Sequence, residues 1–106
     1  MGRYLTTTGT ARVTDRIVST TYSAQVNDRI YCVAGGFTIT LPAAPLEGDV
    51  IQIIDVTSTF GSSNVTVARN GQLINNSATN LTCDVPGAAI TLVYSGATYG
   101  WIITGS

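Results

Sequence analysis

The chain has no histidine and no lysine. Without them the common general bases are gone, and neither Cys32 nor Cys83 has an imidazole to activate it, which argues against a thiol hydrolase. Charge is scarce altogether: 10% of residues carry one, against roughly a quarter in ordinary soluble domains. The five bases are all arginine, Arg3, Arg12, Arg16, Arg29 and Arg69. They form no basic patch, which excludes a nucleic-acid partner bound through phosphate contacts. No long apolar run exists either. The longest, Val50 to Val56, is interrupted by Gln52 and Asp55, far short of the ~20 residues a membrane span needs. The first residues, Met1 to Thr8, lack the apolar centre of a signal peptide. No stretch keeps a helical period over two turns. Two cysteines are few for a secreted disulfide scaffold of 106 residues. They read as buried, reduced thiols, with one cross-strand disulfide as the alternative.

What the chain does have is a period of two. Phe37-Thr38-Ile39-Thr40-Leu41 alternates apolar and polar and stops at Pro42. That puts Phe37, Ile39 and Leu41 on one face of a strand and both threonines on the other. Val65-Thr66-Val67-Ala68 starts the same way and runs into Asn70-Gly71, a hairpin signal, with Gln72-Leu73-Ile74 as the expected return strand. Ile30 to Val33 ends at Gly35-Gly36, and Leu81 to Val85 at Pro86-Gly87. Ala88 to Tyr94 ends at Ser95-Gly96, before Tyr99 to Thr104. Leu81, Cys83 and Val85 share an expected apolar face. Val50 to Val56 is nearly apolar on both faces, which suits a strand covered on both sides, within the subunit or at an interface.

The pattern predicts one all-β domain over residues 13–106, a β-sandwich or jelly-roll-like barrel of about eight or nine short strands. Residues 1–12 are polar and Thr-rich without a clear period, and read as an N-terminal arm or flexible tail. Ile39, Leu41, Ile53, Val65, Val67, Leu92 and Trp101 are the expected core. Thr38, Thr40 and Thr66 are expected to face away from it.

Candidate chemistry is thin. Six acids stand against the five arginines, a net charge of -1, so copies repel one another little. Asp49 and Asp55 flank one strand, and Asp15 and Asp28 flank another segment. Either pair would have to converge in a cleft to hydrolyse a glycoside. No catalytic, metal-ligating or cofactor-binding residue is assigned. The candidate ligand or interface residues are Tyr94, Tyr99 and Trp101, clustered in the last hairpin, because aromatics stack on sugars and anchor partners. The loops Ser58 to Asn64 and Asn75 to Asn80 are the candidate binding loops.

Phe37 to Ala43, Leu46 to Asp55, Asn64 to Gly71 with Ile74, Ile90 to Tyr94 and Gly100 to Ile103 form an ordered set. Over residues 21–104 that set resembles an all-β module of tailed-bacteriophage virion structural proteins, of the tail-fibre and capsid-accessory type found in phages of cyanobacteria. The resemblance implies a virion structural protein with no enzymatic activity and no cofactor. It implies an often trimeric domain, here expected as a homotrimer assembled in the host cytoplasm that contacts other virion proteins. Nucleic acid and membrane are not expected as partners, on the charge and hydropathy grounds above. Fibre proteins carry such a module beside a shaft, whereas here it fills nearly the whole sequence. Capsid decoration and a tail-fibre or baseplate component are therefore both expected, with a receptor- or glycan-binding head as the alternative.

Overall fold

The computed structural model describes residues 13–105. The arm expected over residues 1–12 lies outside the described residues. Within them the chain is all strand, with no helix. The nine strands are β1 (Thr14–Val18), β2 (Tyr22–Ser23), β3 (Asp28–Cys32), β4 (Thr38–Thr40), β5 (Val50–Asp55), β6 (Val65–Ala68), β7 (Leu81–Cys83), β8 (Ala89–Tyr94) and β9 (Trp101–Gly105). They form a five-stranded sheet in the order β9-β8-β5-β3-β1 and a four-stranded sheet in the order β2-β4-β6-β7. Apolar side chains from both sheets meet in one core, so of the two architectures expected it is the sandwich that is built.

The path of the chain is less ordinary. From β1 to β6 it changes sheet after every strand. Each strand therefore lies parallel to the one two before it: β1, β3 and β5 in one sheet, β2, β4 and β6 in the other. Parallel neighbours need a crossover, and here a strand of the opposite sheet supplies it. The result is three turns of a flattened winding. The chain then reverses: β7 returns antiparallel on β6, β8 crosses to lie antiparallel on β5, and β9 folds back on β8.

The turn signals fall where expected but do different work. Gly36 and Gly87 have φ of 77° and 73°, yet the turns at Gly35-Gly36 and Pro86-Gly87 carry the chain across to the other sheet. Ser95-Gly96 closes a short hairpin between sequential neighbours, β8 and β9, whereas β6 and β7 pair across a longer connection. Asn70 and Gly71 both take positive φ, 51° and 87°, as a type I′ turn requires, and Gln72 N–H donates to the Arg69 carbonyl at 3.2 Å. The expected return strand does not form. Ile74, 4% exposed, is drawn into the core instead and bridges Trp101, and β6 takes β7 as its antiparallel partner.

The alternation itself is borne out. Ile39, Leu41, Ile53, Val65, Val67, Leu92 and Trp101 are all buried, while Thr38, Thr40 and Thr66 are only half-buried and point outward. Phe37 lies inside as well. One face is corrected: Leu81 is half-buried and Cys83 buried, but Val85 is exposed, because β7 ends at Cys83 and the chain turns away before Val85 can continue the face.

Candidate functional site

The three aromatic candidates do not come together on a surface. Tyr94 and Trp101 face each other across the β8–β9 ladder, with ring centroids 5.2 Å apart and planes at 59°. Both are buried. The Tyr94 hydroxyl donates to Gln72 Oε1 at 2.6 Å, so its polar end is satisfied inside the fold. Tyr99 alone is exposed, on the loop before β9. A platform of three rings is thus corrected to a core pair and one separate tyrosine. The reason is register: the inward-facing positions of β8 and β9 fall on Tyr94 and Trp101.

The carboxylate pairs do not converge either. Asp49 closes the turn before β5, its Oδ2 accepting from Leu46 N–H at 2.7 Å. Asp55 ends the same six-residue strand, roughly 20 Å away along it. Asp55 is buried, and its oxygens accept from the N–H groups of Thr59 (3.1 Å), Phe60 (3.0 Å) and Gly87 (2.9 Å). It therefore ties the Ser58-to-Asn64 loop and the corner at Pro86-Gly87 to the end of β5. Burial pushes its carboxyl up, but the N–H donors, Phe60 and Gly87 foremost, outweigh that and hold it below the ordinary value.

Asp15 and Asp28 lie on opposite faces of the five-stranded sheet. Asp15 points outward, and Arg29 Nε donates to its Oδ1 at 2.7 Å, which holds the exposed carboxyl below its usual range. Asp28 points inward and is buried. Its Oδ2 accepts from the Tyr22 hydroxyl at 2.6 Å and from Gln25 N–H at 2.9 Å, and Arg16 Nε stands 3.6 Å from its Oδ1. Burial, and then the bond to Asp28, push the Tyr22 hydroxyl up to about 12. The cluster sits under the first turn of the winding, where β1 and β2 are both edge strands. An inward-pointing charge on an edge strand discourages further strands from adding there.

Cys32 and Cys83 are both buried and free. Burial pushes the two thiols up, to about 12 and about 11, and leaves them unreactive at neutral pH. Cys83 lines an apolar cleft of about 100 Å³ between the two sheets, with Ile53, Phe60, Leu81, Ile90 and Ile103. Among the described residues no three acidic or cysteine side chains group as metal ligands would.

The two outer faces of the sandwich differ sharply. On the four-stranded sheet, Thr38, Thr66 and Thr82 stand side by side across β4, β6 and β7, and Ser23, Thr40 and Ala68 form the next row. All are small, and five of the six carry a hydroxyl. On the five-stranded sheet one row is polar, Asp15, Arg29, Gln52 and Thr91. The rows beside it are apolar. Ile17, Tyr31, Ile54 and Ala89 lie on one side, and Val50, Val93 and Ile102 on the other. Val33 and Val56, just past β3 and β5, extend the apolar area, and a shallow groove of about 440 Å³ runs between them, Ile17 and Tyr31. Ile17 is 78% exposed and Val56 52%. The near-continuous apolar reading of Val50 to Val56 is thereby resolved. Ile51, Ile53 and Asp55 face the core, while Val50 and Ile54 belong to this outer face.

Compared with protein-family models and with curated proteins, the chain matches none.

Proposed function

We propose that the protein is a structural building block of a phage particle, attached as a homotrimer to the outside of the virion and acting without catalysis or cofactor. The observation that carries the self-assembly in this reading is the apolar outer face of the five-stranded sheet. A sandwich layer facing water normally alternates apolar inside and polar outside, as the four-stranded sheet does with its hydroxyls. The other sheet breaks that rule in two of its central rows. Patches of this kind on a soluble domain mark interaction surfaces. The virion setting rests on the sequence resemblance. The capsid, as a decoration protein, and the tail, as a fibre or baseplate component, are its two settings, with other virion proteins as neighbours. A receptor- or glycan-binding head is the weaker reading, since Tyr94 and Trp101 are spent in the core and only Tyr99 of the three candidates is exposed.

Mass spectrometry of purified virions with copy numbers tests the proposal. Hundreds of copies per particle place the protein on the capsid, tens or fewer on the tail. Its absence from particles overturns the virion reading, and a solution mass other than three chains overturns the three-fold assignment.

A further inference from the structure

We infer that the outer face of the five-stranded sheet is a self-packing surface, covered in the working protein by the same face of other copies of this chain. The inference deepens the assembly reading above, on which it rests for the expectation that copies associate, by naming the surface and its occupant. Three observations carry it.

The first is the contrast within one molecule. Both sheets contribute to the same core and have the same number of exposed faces, one each. The chain places Ser23, Thr38, Thr40, Thr66 and Thr82 on one. On the other it places Ile17, Tyr31, Ile54, Val56, Val93 and Ile102. The four-stranded sheet is therefore built for water, and the five-stranded sheet is not.

The second is charge. Among the described residues Asp15 and Arg29 are the only charged ones in the rows of this face, and they neutralise each other at 2.7 Å across β1 and β3. A like face brought against it meets no net charge of either sign. A partner recognised through charge would find nothing to read, whereas a second copy finds apolar rows flanking a polar one on both sides of the contact. Gln52 and Thr91 lie in that polar row and supply the hydrogen-bonding groups that fix alignment.

The third is area. Five strands about 4.8 Å apart, with the longest near six residues at about 3.3 Å each, span roughly 24 by 20 Å. Two such faces in contact remove a footprint of roughly 1,000 Å², the lower bound for a specific interface. The corrugation left by Ile17 and Val56 raises the accessible area above that footprint.

The test uses the full chain and variants on both outer faces. Ile17→Asp and Val56→Asp place a carboxylate on the five-stranded face, at side chains exposed enough that the fold does not depend on them. Thr66→Asp places one on the opposite face. Sedimentation equilibrium over a concentration series reads the association, and circular dichroism melts verify that each variant is folded. The expected result is an oligomeric wild type, association weakened at least tenfold in Ile17→Asp and in Val56→Asp, and no change in Thr66→Asp. A dimer or a trimer with this response supports the inference. A monomeric wild type at its highest soluble concentration overturns it. So does assembly that survives both face variants, or that Thr66→Asp alone disrupts. The two proposals fail separately. A chain monomeric in solution yet present in virions defeats the self-packing face and the three-fold assignment but leaves the virion reading standing. A chain that associates through this face yet is missing from virions defeats the virion reading alone.

Discussion

At the scale of single residues, Asp55 does the most for its size. Three backbone N–H groups from two separate segments converge on it. Replacing it with alanine leaves all three without their acceptor, the Phe60 N–H in a buried place and the other two in partly buried ones, at a cost of about 3 kcal/mol. Its carboxyl is held below the ordinary value, so the sign of its pH dependence follows. A carboxylate with a lowered folded pKa stabilises the native state above its unfolded pKa, about 4. That contribution is lost as pH falls through the folded value. We therefore expect wild-type melting temperature to drop on acidification below about pH 4. Asp55→Asn should start lower at neutral pH and fall less over the same range. Parallel melting curves for the two proteins would show that Asp55 is not the group responsible. None of this was legible in the sequence. A carboxylate at a strand end usually meets water or caps a turn, as Asp49 does, and only the fold reveals that Thr59, Phe60 and Gly87 aim at the other one. Asp28 was hidden for the same reason, because its partners Tyr22, Gln25 and Arg16 come from the preceding turn of the winding.

At the scale of elements, the joint between the segment before Ile74 and the start of β9 is the tightest. Trp101 N–H donates to the Leu73 carbonyl at 2.8 Å, and Asn75 N–H to the Trp101 carbonyl at 2.7 Å. This covers the first residues of β9, an edge strand that would otherwise be open. Gly100 makes the approach possible. Its φ is 78°, and a Cβ there would lie 2.0 Å from the Leu73 carbonyl oxygen. Gly71 has a similar φ of 87° and open space around it. Gly71→Ala should therefore cost about 1 kcal/mol from backbone strain, and Gly100→Ala about 2 kcal/mol or more, because the strain is joined by a clash with backbone. Urea unfolding of the pair separates the two effects, and equal midpoints would mean that the close approach is not needed. The strands themselves were readable from alternation, most plainly Phe37 to Leu41 and Val65 to Val67. Their pairing was not. A period of two says which face a side chain takes and is blind to whether the neighbouring strand runs parallel or antiparallel. Gly35-Gly36 and Pro86-Gly87 announce a turn in the same terms whether the chain returns to its own sheet or crosses to the other. The absence of hairpins from the first six strands therefore left no mark on the sequence.

At the scale of the whole molecule, association is the property to measure. The proposed interface of Ile, Val and Tyr side chains, with the Asp15–Arg29 pair closed inside each copy, gives salt little to screen. Sedimentation at low salt and at ~1 M salt, where the screening length is only about 3 Å, should give the same assembly. Dissociation in high salt alone would show that charge pairs between copies hold it together. The candidate surface was half legible beforehand. Val50 to Val56 showed a strand with apolar residues on both faces, but the rows that join it came from β1, β3, β8 and β9, whose alignment depends on the unforeseen winding. The aromatic cluster, by contrast, misled. Closeness in sequence at Tyr94, Tyr99 and Trp101 became closeness in the core for two of them, since a hairpin sends alternate residues inward and the third fell on its loop.

The winding also decides how the domain would carry a load. β1 and β9 form the two outer edges of one sheet, and the pairings along the order β1, β3, β5, β8, β9 make them run in the same direction. The chain thus enters the sheet at one corner and leaves it at the diagonally opposite one. Tension applied through the two ends has a component along the strands, so part of it shears the ladders instead of opening them one hydrogen bond at a time. Every strand of that sheet lies between the points of attachment and shares the strain. A sheet strung in this way resists being drawn out from its ends better than one whose first and last strands leave from the same side.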